Sequence, residues 1–166
     1  PERGDVIVFK TPADNRTDYI KRLIGVPGDE IQIINGTLFL NSKKIIIEKL
    51  NEKFEIKCGS EIINTTLFKE TLPSGVSYNI VYRNDGSMKN TDKYLVPNEH
   101  FFFMGDNRDC SKDSRFLSSV GYVHFNNIVG KAKIIFFSND KSVAHIMNFI
   151  KWRESIRFDR FLKKIK

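Results

Sequence analysis

A mainly β fold is predicted: an antiparallel β-sheet core, a smaller inserted β domain and a C-terminal amphipathic helical tail. Three features of the sequence predict it. Val6-Ile7-Val8-Phe9 and Phe101-Phe102-Phe103-Met104 are short, fully apolar runs of strand length. Between them, apolar and polar clusters alternate and are cut by turn signals. Apolar residues recur at helical spacing among basic ones only near the end. A chain of 166 residues has room for one core carrying an insertion and too little for two full-sized domains. The expected division is a core from 1–29 and 98–140, an insertion at 30–97 and a tail at 141–166.

Charge is unevenly placed. The formal net charge is +7, and 141–166 alone hold eight Lys or Arg against two acids. A nearly neutral body with a basic tail points to an anionic membrane surface rather than to nucleic acid, which calls for positive charge spread over a folded face. Cys58 and Cys110 are far apart and lack metal-site spacing, so they predict neither a zinc site nor a particular disulfide. No apolar run approaches a bilayer span and no signal peptide is visible. Pro1-Glu2-Arg3-Gly4 lacks a Met and leads directly into a strand, as an internal fragment would.

In chain order, Gly4-Asp5 marks a turn and 6–9 a central strand. Residues 19–26 are rich in β formers but carry Lys21 and Arg22 in the middle, and Pro27-Gly28-Asp29 ends them. Extended geometry puts Tyr19, Lys21 and Leu23 on one face and Ile20, Arg22 and Ile24 on the other. As an edge strand, this segment would hold both cations in solvent and resist edge pairing. Covered on both sides, it would desolvate Lys21. A lysine with a pKa near ~10.4 is almost wholly protonated at pH 7, and bringing it to about 7 or 8 takes roughly 3 to 5 kcal/mol of penalty on the ammonium. An unpaired carboxylate nearby would cancel that penalty.

Residues 31–40 alternate around Asn35-Gly36 and predict a hairpin. Turn signals at Cys58-Gly59-Ser60, Pro73-Ser74-Gly75 and Asn84-Asp85-Gly86 divide 41–97 into further short strands, to which no chemistry is assigned. His100, His124 and His145 are scattered without partners at ligand spacing and are expected to be structural. Residues 104–115, Met-Gly-Asp-Asn-Arg-Asp-Cys-Ser-Lys-Asp-Ser-Arg, crowd charges and hydroxyls where the apolar run 101–104 stops. Asp106 is two residues from Arg108 and Asp113 two from Arg115, so each acid is expected to bind its neighbouring guanidinium. On chemistry alone, Ser111 and Ser114 could each be anything from a turn residue to a nucleophile. Returning strands are expected at 121–123 and 130–137. In the tail, Ile146, Phe149 and Ile150, then Phe158, Phe161, Leu162 and Ile165, predict one bent helix or two, either packed on a core or lying on a membrane with Trp152 in the interface.

Three stretches, 3–10, 18–29 and 105–115, resemble ordered sequence boxes of the bacterial type I signal peptidases. The resemblance implies the β fold of that family and a membrane-anchored Ser/Lys-dyad serine endopeptidase. Such an enzyme cuts signal peptides from exported preproteins after a small-x-small site, on the extracytoplasmic side of the inner membrane, and uses no cofactor or metal. By motif position it makes Lys21 the general base and Ser111 the hydroxyl that orients its amine. Asp106, Arg108, Asp113 and Arg115 become the supporting framework, and Tyr19 and Ile20 line the pockets for the small substrate side chains. Cys110 departs from the Asn usual at its place. The family's nucleophile box and membrane anchor precede its first box here, so the chain is expected to lack both, together with the oxyanion donors, and to be inactive alone. Ser87, in Gly86-Ser87-Met88, imitates the nucleophile box but lacks its Pro and follows the lysine box. Other Ser/Lys processing proteases, such as self-cleaving repressors, share the dyad chemistry, and without a serine the chain would be a non-catalytic binding module.

Overall fold

The computed structural model describes residues 1–83, 89–136, 138 and 157–165, and of these the side chains of 51–54 and 159 are left undescribed. Two compact units are present, Pro1–Lys131 and Ala132–Lys166. The first is mostly antiparallel β.

Its central sheet runs β11 (Val123–His124), β10 (His100–Met104), β2 (Asp18–Gly25), β1 (Val6–Lys10) and β12 (Ile128–Lys131). Strand β2 is therefore no edge strand. One side pairs with β1, Ile7 opposite Lys21 and Val6 opposite Arg22, and the other with β10, Phe103 opposite Leu23 and Met104 opposite Arg22. Both faces are apolar. Tyr19 and Leu23 pack with Ile7, Phe9, Phe101, Phe103, Val120 and Val123, while Ile24, Phe102 and Met104 join a second cluster with Ile31, Leu38 and Ile80. Phe9 and Phe103 stack at 4.6 Å. Each fully buried Phe, Leu or Ile contributes about 1.5 to 3 kcal/mol, so a strand covered on both faces is held firmly in register. The alternation predicted for 19–24 is the one observed.

A second sheet orders β5 (Lys43–Lys44), β4 (Thr37–Leu40), β3 (Glu30–Ile34) and β9 (Tyr94–Leu95). The β3–β4 hairpin turns on Asn35 and Gly36, with φ of 48° and 74°, the left-handed pair that a two-residue turn of this hand needs. The third sheet is a long ribbon of β6 (Ile46–Cys58), β7 (Glu61–Thr71) and β8 (Ser77–Tyr82). Residues 84–88 lie outside the described residues, and so does Ser87.

In the second unit, Ile134 bridges to Lys164, and the Ile135 and Ile165 amides donate to the carbonyls of Lys163 and Lys133. Phe158–Arg160 form a 3-10 turn, ended where Leu162 takes a positive φ of 56°. The helix expected around Ile146, Phe149 and Ile150 falls on residues outside those described. No described helix is long and apolar enough to cross a membrane.

Candidate active site

Lys21 lies mid-sheet, half-buried, its ammonium 5.4 Å from the centre of the Tyr19 ring. Burial pulls its pKa below the ordinary 10.5; the Asp113 charge opposes this, Arg115 reinforces it and Asp106 opposes it. The β2–β10 register, carried one step past Met104 and Arg22, sets Gly105 across from Lys21. Directly opposed residues point their side chains to the same face. A Cβ on Gly105 would meet the Ser111 hydroxyl at 2.1 Å, so Ser111 occupies the place where a side chain at 105 would stand, on Lys21's face of the sheet. Only glycine allows that approach. The Ser111 Oγ is buried and has no hydrogen-bond partner.

Polar bonds pin the stretch after Ser111 to the end of β10. Asp113 is fully buried; it accepts from the Gly105 amide at 2.9 Å and from Nε and Nη2 of Arg115, both at 2.8 Å. Arg115 also donates to the Arg108 carbonyl, and its own carbonyl accepts from the Tyr94 hydroxyl. Ser114 accepts from the Phe103 amide at 2.9 Å and its amide donates to the Phe103 carbonyl. Asp113 and Arg115 thus pair as expected.

Asp106 and Arg108 do not pair with each other. Asp106 is held by Arg22, through Nε at 2.8 Å and Nη2 at 2.7 Å, while Arg22 Nη1 donates to the Gly4 carbonyl and its guanidinium lies 4.0 Å from the centre of the Tyr78 ring. Arg108 turns the other way and gives two hydrogen bonds to Glu70 of β7, one at 2.8 Å, and one to the Tyr82 hydroxyl at 3.1 Å. The reason is competition from partners distant in sequence: β2–β10 pairing sets Arg22 beside Asp106, and the ribbon brings Glu70 and Tyr82 to Arg108. Both acids near Lys21 are nonetheless engaged by guanidinium groups.

Tyr19 shares Lys21's face, whereas Ile20 lies on the reverse face and is 52% exposed. Cys58 and Cys110 form a disulfide, which their spacing did not predict. His100 and His124 are opposed across β10–β11 with rings 5.0 Å apart, closer than their scatter in sequence led us to expect. His145 lies outside the described residues. Among the described residues no group of three or more His, Cys, Asp or Glu converges as metal ligands would. Arg22 was legible beside Lys21 as a second cation; Glu70 and Cys58 carried no signal, because nothing local in 41–97 shows what they reach.

The β core thus brings a half-buried amine and a buried hydroxyl to one face of its central sheet, with the acids nearby bound by guanidinium groups. Residues 1–137 match the model of the signal peptidase, peptidase S26 family, and the chain belongs to that family. It is 41% identical to signal peptidase I of Rickettsia typhi and 40% to that of Rickettsia conorii, each comparison covering 99% of this chain. The chain spans 66% and 65% of those relatives' own lengths. A solved signal peptidase I of Enterococcus faecalis is 25% identical, with a TM-score of 0.45 over 79% of this chain and 95% of that one.

Proposed function

We propose that the chain is the lysine-bearing part of a serine endopeptidase that removes signal peptides from exported preproteins. The observation that carries this is the Lys21 amine, half-buried, with the two acids that act on it bound by other cations, on the same face as a partnerless Ser111 hydroxyl. A serine from outside residues 1–166 attacks the scissile carbonyl while neutral Lys21 takes its proton. The lysinium returns that proton to the leaving amine, and Lys21 then deprotonates the water that hydrolyses the acyl-enzyme. The Ser111 hydroxyl, partnerless among the described residues, is placed to accept from the amine and aim it once the serine is present, and the Asp106, Arg108, Asp113 and Arg115 framework holds Ser111 and Lys21 in place. Tyr19 walls the site where a small side chain before the cleaved bond would sit, and Ile20 contributes from the strand's other face.

The work takes place on the extracytoplasmic side of the bacterial inner membrane. Support for a lipid surface comes from the second unit, where exposed Phe136, Phe158 and Leu162 accompany Lys133, Arg157, Arg160, Lys163 and Lys164. Vesicles of anionic lipid should retain the full chain and lose it when residues 146–166 are deleted. For the activity, preprotein processing by the full-length protein should fall by about 10² to 10⁴ in Lys21→Ala. Processing at the wild-type rate would end the proposal; retained binding without cleavage in the wild type would favour a binding module.

A further inference from the structure

The ribbon β6–β7–β8 carries no motif of the site, yet it grips the polar loop residue by residue up to Ser111. Val81 donates its amide to the Asp106 carbonyl at 3.0 Å, bridges Asn107 in parallel, and accepts the Arg108 amide at 3.0 Å. Glu70, 0% exposed, takes the Arg108 guanidinium and also the Tyr78 hydroxyl at 2.6 Å. The Arg83 amide donates to the Asp109 carboxylate at 2.6 Å. Cys110 is bonded covalently to Cys58, the last residue of β6. Asp106, Arg108 and Cys110 are thus tied to the ribbon and Asp109 to Arg83, the residue just past its last strand, and the next residue is Ser111.

The Ser111 hydroxyl makes no bond of its own to hold it. Its place over Gly105 is set by the backbone on either side. On the far side that backbone is held by Asp113 and Ser114; on the near side its covalent hold is the Cys58–Cys110 bridge. We infer that the ribbon is the positioning device for Ser111, with Cys58 and Glu70 as positioning residues and the Cys58–Cys110 crosslink as the tie that sets the hydroxyl against Lys21. This rests on the proposed role of Ser111. A loop freed at Cys110 lets the hydroxyl drift and water reach the amine. Both effects fall on the amine and the hydroxyl, and so on the chemical step.

The test uses the full-length protein and a signal-peptide substrate, under conditions where circular dichroism shows the chain folded. Dithiothreitol opens the bridge to two thiols while closing to its own ring disulfide, and removing it under oxidised glutathione closes the bridge again. Opening should lower kcat by on the order of ten- to a hundredfold. It should leave KM within about twofold and move the acid limb of the pH profile up by about one unit, as a wetter Lys21 holds its proton more tightly. Reoxidation should restore all three. Cys58→Ser with Cys110→Ser should match the reduced enzyme, and Glu70→Gln should show the same limb displacement in milder form. In a Ser111→Ala background, opening the bridge should cost nothing further. The inference is overturned if the reduced, folded enzyme keeps its kcat and pH profile, or if opening costs the same factor with and without Ser111. If Ser111→Ala itself works at the wild-type rate with an unmoved acid limb, the role of Ser111 fails and takes the inference with it. An impaired Ser111→Ala beside a silent bridge sinks the inference alone.

Discussion

Glu70→Ala should be the most destabilising single change in the ribbon. The carboxylate is fully buried, its Arg108 partner has a side chain only 2% exposed, and the Tyr78 hydroxyl depends on the same oxygen pair. Arg108 Nε already lacks a partner, so no spare acceptor stands by. Removing one member of a buried ion pair costs about 3 to 5 kcal/mol, because the other charge stays in a dry site. The stranded tyrosine hydroxyl adds about 1 to 3 kcal/mol, part of which water entry into the new space recovers. We therefore take about 4 kcal/mol as the net loss. With a urea slope of about 2 kcal/mol per molar, the unfolding midpoint falls by about 2 M. Lys93→Ala is the control: its pair with Glu30 is half in solvent, worth about 0 to 1 kcal/mol, and the midpoint should move by less than about 0.5 M. Replacing both partners, Glu70→Leu with Arg108→Met, should recover most of the loss, since the penalty belongs to the unpaired charge. A Glu70→Ala midpoint no lower than that of Lys93→Ala would refute the reasoning.

Three further outcomes are expected. Gly105→Ala sets a methyl group 2.1 Å from the Ser111 hydroxyl, so processing should be abolished and the melting temperature lowered; adding Ser111→Gly should return the stability but not the activity. Lys21 has a folded pKa below its unfolded value of 10.5, so the unfolded chain binds more protons between the two values and stability rises with pH across that window. Lys21→Met should consequently melt higher than wild type near neutral pH, with the advantage shrinking as pH approaches 10.5, and equal melting at all pH would contradict the burial of the amine. The bridge closes a separation of 52 residues, for which chain entropy gives about 4 kcal/mol, so Cys58→Ser with Cys110→Ser should lower urea stability by about that much, and a thiol titration of the untreated chain should find none.

Much of the site was legible because it is local. Strand alternation put Lys21 and Leu23 on one face, Asn35-Gly36 made the hairpin, and the Asp113–Arg115 pair formed between residues close enough to find each other without help. A lysine inside an apolar strand could also be seen to need neutralised acids nearby, whichever cations supplied the neutralisation. What the residues alone left open was whether 19–26 lay at an edge, which guanidinium bound Asp106, what Arg108 bound, and whether the two cysteines met. Each of these depends on a partner tens of residues away: Arg22 is 84 residues from Asp106, Glu70 is 38 from Arg108, and Cys58 is 52 from Cys110. Local propensity has no access to such distances, because sheet order and register decide them, and these are settled only when both faces of β2 are buried at once.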